Sequence, residues 1–235
     1  MSQANQMLRC IDVRPRSTRA VLVLATAVFV AACASAPSVD KPVAVKTTVL
    51  PAEKDRARVQ VDGELGFTVT EVVHADADVR SDYQRALALL AQNRADEGIA
   101  MLESVVQRAP GLTAPHIDLG IAYGRVGAYE KAERSLLAAL ALVPKHPAAL
   151  NELGIVYRRE GKFQEARASY QGALAVQPTY HFALRNLGVL CDLYLKDVAC
   201  ALQNYESYAQ MVPEDRQVAM WISDLQGHTS LASKE

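Results

Sequence analysis

Apolar and small positions recur along the C-terminal part of the chain with a period of 34 residues. Leu119-Gly120-Ile121-Ala122-Tyr123 returns as Leu153-Gly154-Ile155-Val156-Tyr157, and again as Leu187-Gly188-Val189-Leu190-Cys191. Pro110, Pro144 and Pro178 keep that spacing, and Pro213 follows after 35. Ala132 and Ala166 also lie 34 apart, and Gly127 and Gly161 share one place that Asn93 fills a repeat earlier. A period of this length marks a stacked supersecondary unit. Gly127 and Gly161 mark a turn inside the unit, and proline, which lacks an amide hydrogen, closes it. One hairpin cannot bury its apolar face alone, so neighbours must stack. The pattern predicts hairpins over 79–112, 113–146, 147–180 and 181–215. The fourth is irregular, with one residue inserted before Ala201, Tyr205 and Pro213. Beyond it, Glu214-Asp215 suit a helix start, and Val218, Trp221, Ile222 and Leu225 form a stripe at helical spacing. Residues 216–235 are therefore read as a capping helix and tail, with Trp221 in the core.

The N-terminal part has another pattern. Ala20 to Ala32 holds thirteen residues without a charge, behind Arg9, Arg14, Arg16 and Arg19. A membrane span needs about 20 apolar residues, so 1–32 reads as a secretory signal peptide. Residues 33–78 read as a tether, rich in small and charged residues and broken by Pro37, Pro42 and Pro51. Within it, 66–73 (Gly66-Phe67-Thr68-Val69-Thr70-Glu71-Val72-Val73) alternates in part and is expected to be an extended strand. A single strand is not stable alone, so it is expected to lie against the solenoid or a partner.

Charge changes the picture once the signal is set aside. The whole chain carries −1, while residues 1–32 hold four arginines and Asp12, or +3; the remainder is thus −4. A mildly acidic protein lacks the basic footprint of a nucleic-acid binder. No HExxH, GxSxG, GxxxxGK[ST] or GxGxxG is present. His116, His146 and His181 stand at or near repeat junctions, where a structural role is expected, as against metal binding. The reading is a non-enzyme with no cofactor and no metal site. The four cysteines, Cys10, Cys33, Cys191 and Cys200, form no CxxC pair. Cys191 and Cys200 flank the turn of the fourth hairpin on facing helices. Either a disulfide joins them, which the export signal favours, or they are two small buried hydrophobes.

The repeat resembles that of the tetratricopeptide (TPR) family over about residues 79–215. Leu119, Gly120, Tyr123, Ala132, Leu136, Ala139 and Pro144 match the family pattern in the second repeat. Leu153, Gly154, Tyr157, Ala166, Tyr170, Ala173 and Pro178 match it in the third. The first is weaker (Ala86, Leu89, Gly98, Leu102, Pro110, with Arg85 where Leu is expected), and in the fourth Cys191 replaces Tyr. The resemblance implies an all-α, right-handed α-solenoid of about four TPR hairpins plus a C-terminal capping helix. It also implies a concave groove lined by the first helix of each repeat. Carried onto this sequence, the groove would present Tyr83, Leu87, Ile117, Ile121, Arg125, Asn151, Ile155, Arg158, Arg159, Phe182, Arg185, Val189 and the nearby Asn186. An apolar floor with four arginines would suit a segment bearing acidic groups, since the guanidinium fork holds carboxylates bidentately. The clamp that grips acidic chaperone tails is not implied, because its asparagine position holds Leu87, Ile121, Ile155 and Val189.

Val30-Ala31-Ala32-Cys33 resembles the lipobox of bacterial lipoproteins. That resemblance implies lipid on Cys33 and, with Ala34 following, an outer-membrane anchor facing the periplasm. The expected role is a scaffold or assembly factor that binds protein partners of the cell envelope, in a pilus, secretion or energy-transducing system. The alternatives are an adaptor regulating a cell-wall enzyme and a periplasmic chaperone. The oligomeric state stays open.

Overall fold

A computed structural model describes residues 58–61, 67–70 and 76–232. The signal peptide, Cys10, Cys33 and the first part of the expected tether lie outside these described residues. A β-hairpin comes first, β1 (Arg58–Val61) and β2 (Phe67–Thr70). Four helical hairpins follow: α1 (Ala77–Ala91) with α2 (Ala95–Arg108), α3 (Thr113–Arg125) with α4 (Tyr129–Leu142), and α5 (Pro147–Arg159) with α6 (Phe163–Val176). In the last, α7 (His181–Val189) runs into a π-helix (Leu190–Leu195) and pairs with α8 (Val198–Met211). α9 (Arg216–Ala232) packs on α8. The hairpins stack in chain order, and the expected α-solenoid of helical hairpins with a C-terminal helix is what forms. No described helix is long and apolar enough to cross a membrane.

The second, third and fourth hairpins are each closed by one tight contact. A Cβ on Gly120 would stand 2.6 Å from Leu136, one on Gly154 2.5 Å from Tyr170, and one on Gly188 2.5 Å from Tyr205. Glycine on the first helix thus lets the large residue of the second reach the axis. Leu136, Tyr170 and Tyr205 are buried there. The turns between paired helices use a left-handed residue, Asn93, Gly127, Gly161 and Lys196, with φ of 61°, 78°, 75° and 55°. A Cβ makes this conformation unfavourable by about 1–2 kcal/mol. Lys196→Gly is therefore expected to raise stability by about 1 kcal/mol, read as a higher denaturation midpoint with unchanged slope.

The inserted residue of the fourth repeat has a structural address. In the first three turns an amide bonds the carbonyl five residues back: Arg94 to Leu89, Ala128 to Tyr123 and Lys162 to Tyr157, at 3.0, 2.9 and 2.9 Å. In the fourth, the Asp197 amide reaches Cys191, six back, at 2.9 Å. The extra residue is absorbed by widening the first helix into the π-turn 190–195, so the second helix still meets it in register.

A disulfide joins Cys191 of that π-helix to Cys200 of α8. It closes a loop of nine residues' separation, for which loop entropy is worth about 2.5 kcal/mol. Cys191→Ser/Cys200→Ser is expected to lower stability by that amount. Dithiothreitol should produce the same loss in the parent protein and none in the variant.

The pairing of two strands departs from the single strand expected. β1 falls inside the stretch read as a tether, and it supplies the partner the strand at 67–70 needs. The register sets Val59 opposite Val69 and Val61 opposite Phe67, which places all four on one face. Phe67 meets the solenoid: its ring stands edge-on to His146 and Tyr180, with centroids 5.8 and 5.5 Å away.

Candidate protein-binding groove

Some of the residues expected to line a groove come together around one cavity, and others lie elsewhere. A cavity of about 380 Å³ lies between α3 and α5. Ile121, Arg125, Ile155 and Arg159 line it with Gly120, Gly124, Tyr129, Leu136, Glu152 and Val156. The isoleucines give an apolar wall, and the two arginines are exposed at the edge. Neither arginine has an ion pair within 4.0 Å among the described residues.

The other expected positions go elsewhere. Ile117 and Asn151 are buried at 1% and 0% exposure, so they belong to the core and not to a groove surface. The Asn151 amide donates to Glu152 Oε1 at 3.1 Å and its carbonyl accepts from Asn186 Nδ2 at 2.9 Å. Tyr83 is half-buried and donates its hydroxyl to Asp118. Arg158 turns to the other side of α5, where its guanidinium lies over the Tyr194 ring at 5.8 Å. Arg185 lies over Trp221 at 5.2 Å and pairs with Asp215 at 3.8 Å, which ties α7 to the capping helix. Phe182 is half-buried against Tyr180 and His181, Leu87 and Val189 are half-buried, and Trp221 packs on Tyr205. Two arginines, not four, therefore face the cavity.

Sequence reasoning missed the acids. Asp118 and Glu152 precede the Leu-Gly pair in successive repeats, and each is 8% exposed. Burial pushes Asp118 up to about 6, against the opposing effects of the Tyr83 hydroxyl and the Arg125 charge. Burial likewise pushes Glu152 up to about 7; Asn151 and Arg125 oppose the shift, and the Asp118 charge adds to it. The signal was available: an acid stands 34 residues from an acid inside an otherwise apolar motif, with Asn186 completing the series. The floor is thus partly anionic, in place of the wholly apolar one expected.

His146 is buried and accepts from the Ala149 amide through Nδ1 at 3.4 Å, capping α5, and burial lowers its pKa to about 4. Cys191, Asp197 and Cys200 bring three potential metal-ligand atoms close together, but both sulfurs are in the disulfide.

A family model described as tetratricopeptide repeat matches residues 117–181. Among solved structures, MamA of Desulfovibrio magneticus RS-1 (residue 41 to its end) is 16% identical with a TM-score of 0.59, covering 67% of this chain and 88% of that one. PilF of Pseudomonas aeruginosa is 19% identical at 0.59, covering 65% and 69%. A thermophilic TPR protein of Thermus thermophilus is 21% identical at 0.57, covering 64% and 82%. No curated protein matches the chain. The family model places TPR-type repeats at residues 117–181, and the solved structures share the fold of stacked helical hairpins. Identities this low carry the fold alone.

Proposed function

We propose that the chain is a non-catalytic, periplasm-facing lipoprotein that holds a protein partner in the α3–α5 groove, as a scaffold or assembly factor of an envelope complex. The observation that carries the binding role is the cavity itself: an apolar wall of Ile121 and Ile155 beside two exposed guanidiniums, on Arg125 and Arg159, that lack an ion pair among the described residues. Such a surface offers apolar anchorage and bidentate sites for carboxylates. The envelope location rests on the arginine-led apolar run and the lipobox-like Val30-Ala31-Ala32-Cys33.

Photo-crosslinking in intact cells tests the groove. Replacement of Ile155 by p-benzoylphenylalanine is expected to capture one dominant envelope protein. The same replacement at the exposed Leu137 of α4 should not. Arg125→Glu/Arg159→Glu should abolish the capture. Equal labelling from both positions, or many unrelated proteins, would sink the specific-groove reading. The anchor has its own test: fatty-acid labelling of the chain should vanish in Cys33→Ala, and labelling that persists there would refute it.

A further inference from the structure

The cavity is divided by charge. Arg125 and Arg159 stand at its edge, whereas Glu152 lies within it at 8% exposure. One Glu152 oxygen accepts from Asn151 Nδ2 at 3.1 Å. The other has no donor among the described residues and belongs to a side chain that lines the cavity. Asp118, on the neighbouring helix, adds a second buried carboxylate whose charge reaches Glu152. The charged and titratable groups facing this acid are few: Asp118 and Arg125 from α3, Tyr170 from α6 and Tyr180 from the linker before α7. None of them is a cation in direct contact. A buried carboxylate without a paired cation is unfavourable, and here its free oxygen opens onto a space large enough for a side chain.

Resting on the groove reading above, we propose that this cavity receives a basic side chain of the partner, a lysine or arginine flanked by acidic residues. The cation bonds the free oxygen of Glu152, and the flanking carboxylates lie on Arg125 and Arg159. The aliphatic stem of the basic residue runs along Ile121, Ile155 and Val156, so only its charged head meets the acid. Charge complementarity fixes the order of charges in the partner segment: acid, base, acid. A segment with acidic groups alone would leave Glu152 unpaired and repelled.

The test uses the purified full-length chain and two synthetic peptides in calorimetry. One is an extended peptide with a central lysine between glutamates, and the other carries norleucine in place of that lysine. The lysine peptide is expected to bind about tenfold more tightly or better, the worth of a charge-assisted hydrogen bond. Glu152→Gln should remove that preference, because both peptides then meet an uncharged amide in place of the carboxylate. Ionisation of Glu152 on binding should also release protons near pH 6.5, seen as an enthalpy that varies with the buffer. Equal affinity for the two peptides, a preference that survives Glu152→Gln, or no binding of either at about millimolar peptide would overturn the proposal. Capture at position 155 in cells that is lost on arginine reversal but indifferent to Glu152→Gln would leave the groove standing and remove the basic anchor alone.

Discussion

Tyr170→Ala is expected to cost about 3–5 kcal/mol and to uncouple the third hairpin from the fourth. Tyr170 is fully buried, and its ring fills the space that Gly154 leaves open on the facing helix. Truncation opens a cavity where the Tyr170 ring meets Gly154, and neither helix can move in without disturbing its contact with a neighbouring repeat. Gly154→Ala attacks the same contact from the other side. Its Cβ would stand 2.5 Å from the Tyr170 ring, and a buried ring has no free direction in which to yield, so about 1–3 kcal/mol is expected. Chemical denaturation monitored by circular dichroism gives both numbers. In a solenoid, the truncation should also reduce the cooperativity of the transition, because stability is carried by interfaces between nearest neighbours. An unchanged midpoint in Tyr170→Ala would mean that the close contact does not hold the hairpin together.

Glu152→Gln is expected to act in the opposite direction, stabilising the protein at neutral pH by about 2–3 kcal/mol. Burial raises the folded-state pKa of Glu152 to about 7, from an ordinary value of 4.5. The folded protein therefore binds more protons than the unfolded chain between these values, and stability falls as pH rises through that window. Below about pH 4.5 the acid is neutral in both states and the penalty is absent. Asp118, raised to about 6 from 3.8, adds a smaller loss of the same sign at the lower end. Denaturation midpoints measured from about pH 4 to 8 should thus decline toward neutrality in the parent protein and decline less in Glu152→Gln. The amide keeps the carbonyl oxygen that Asn151 needs, so the variant tests charge and not shape. Equal pH profiles would show that Glu152 is solvated well enough to ionise freely. A group that costs stability at the floor of a cavity is understandable when a ligand supplies the missing cation, and this links the stability measurement to the peptide experiment.

Fold and site were legible to different degrees. The 34-residue period of Leu-Gly and proline placed the hairpins, because a repeat that must stack writes the same packing demand into every copy. The insertion in the fourth repeat was also visible, as a spacing of 35 between Pro178 and Pro213. Its solution as a π-turn was not, since the sequence does not say whether a helix or a loop absorbs an extra residue. The groove was legible only in outline. Ile121, Arg125, Ile155 and Arg159 line the cavity, but Arg158, one residue earlier, turns away to Tyr194. About 100° of rotation separates neighbours on a helix, and which side meets solvent depends on how the next repeat is stacked. Asp118 and Glu152 were not legible as buried, because an acid beside Leu-Gly reads as surface until its burial is known.

Local sterics and the need to bury an apolar stripe were enough to set the repeat, its length, the close contacts of glycine with a large side chain, and the left-handed turns at Gly127 and Gly161. Each of these is written in the order of the residues. Packing between repeats and against them decided the rest: which faces of the first helices stay open, that the β1–β2 pair seats Phe67 on His146 and Tyr180, and that Glu152 lines a cavity edged by Arg125 and Arg159 while Asp118 is buried nearby. Those outcomes depend on the angle and spacing between repeats that are far apart in the chain, and on the loss of solvent their packing imposes. No single segment carries that information.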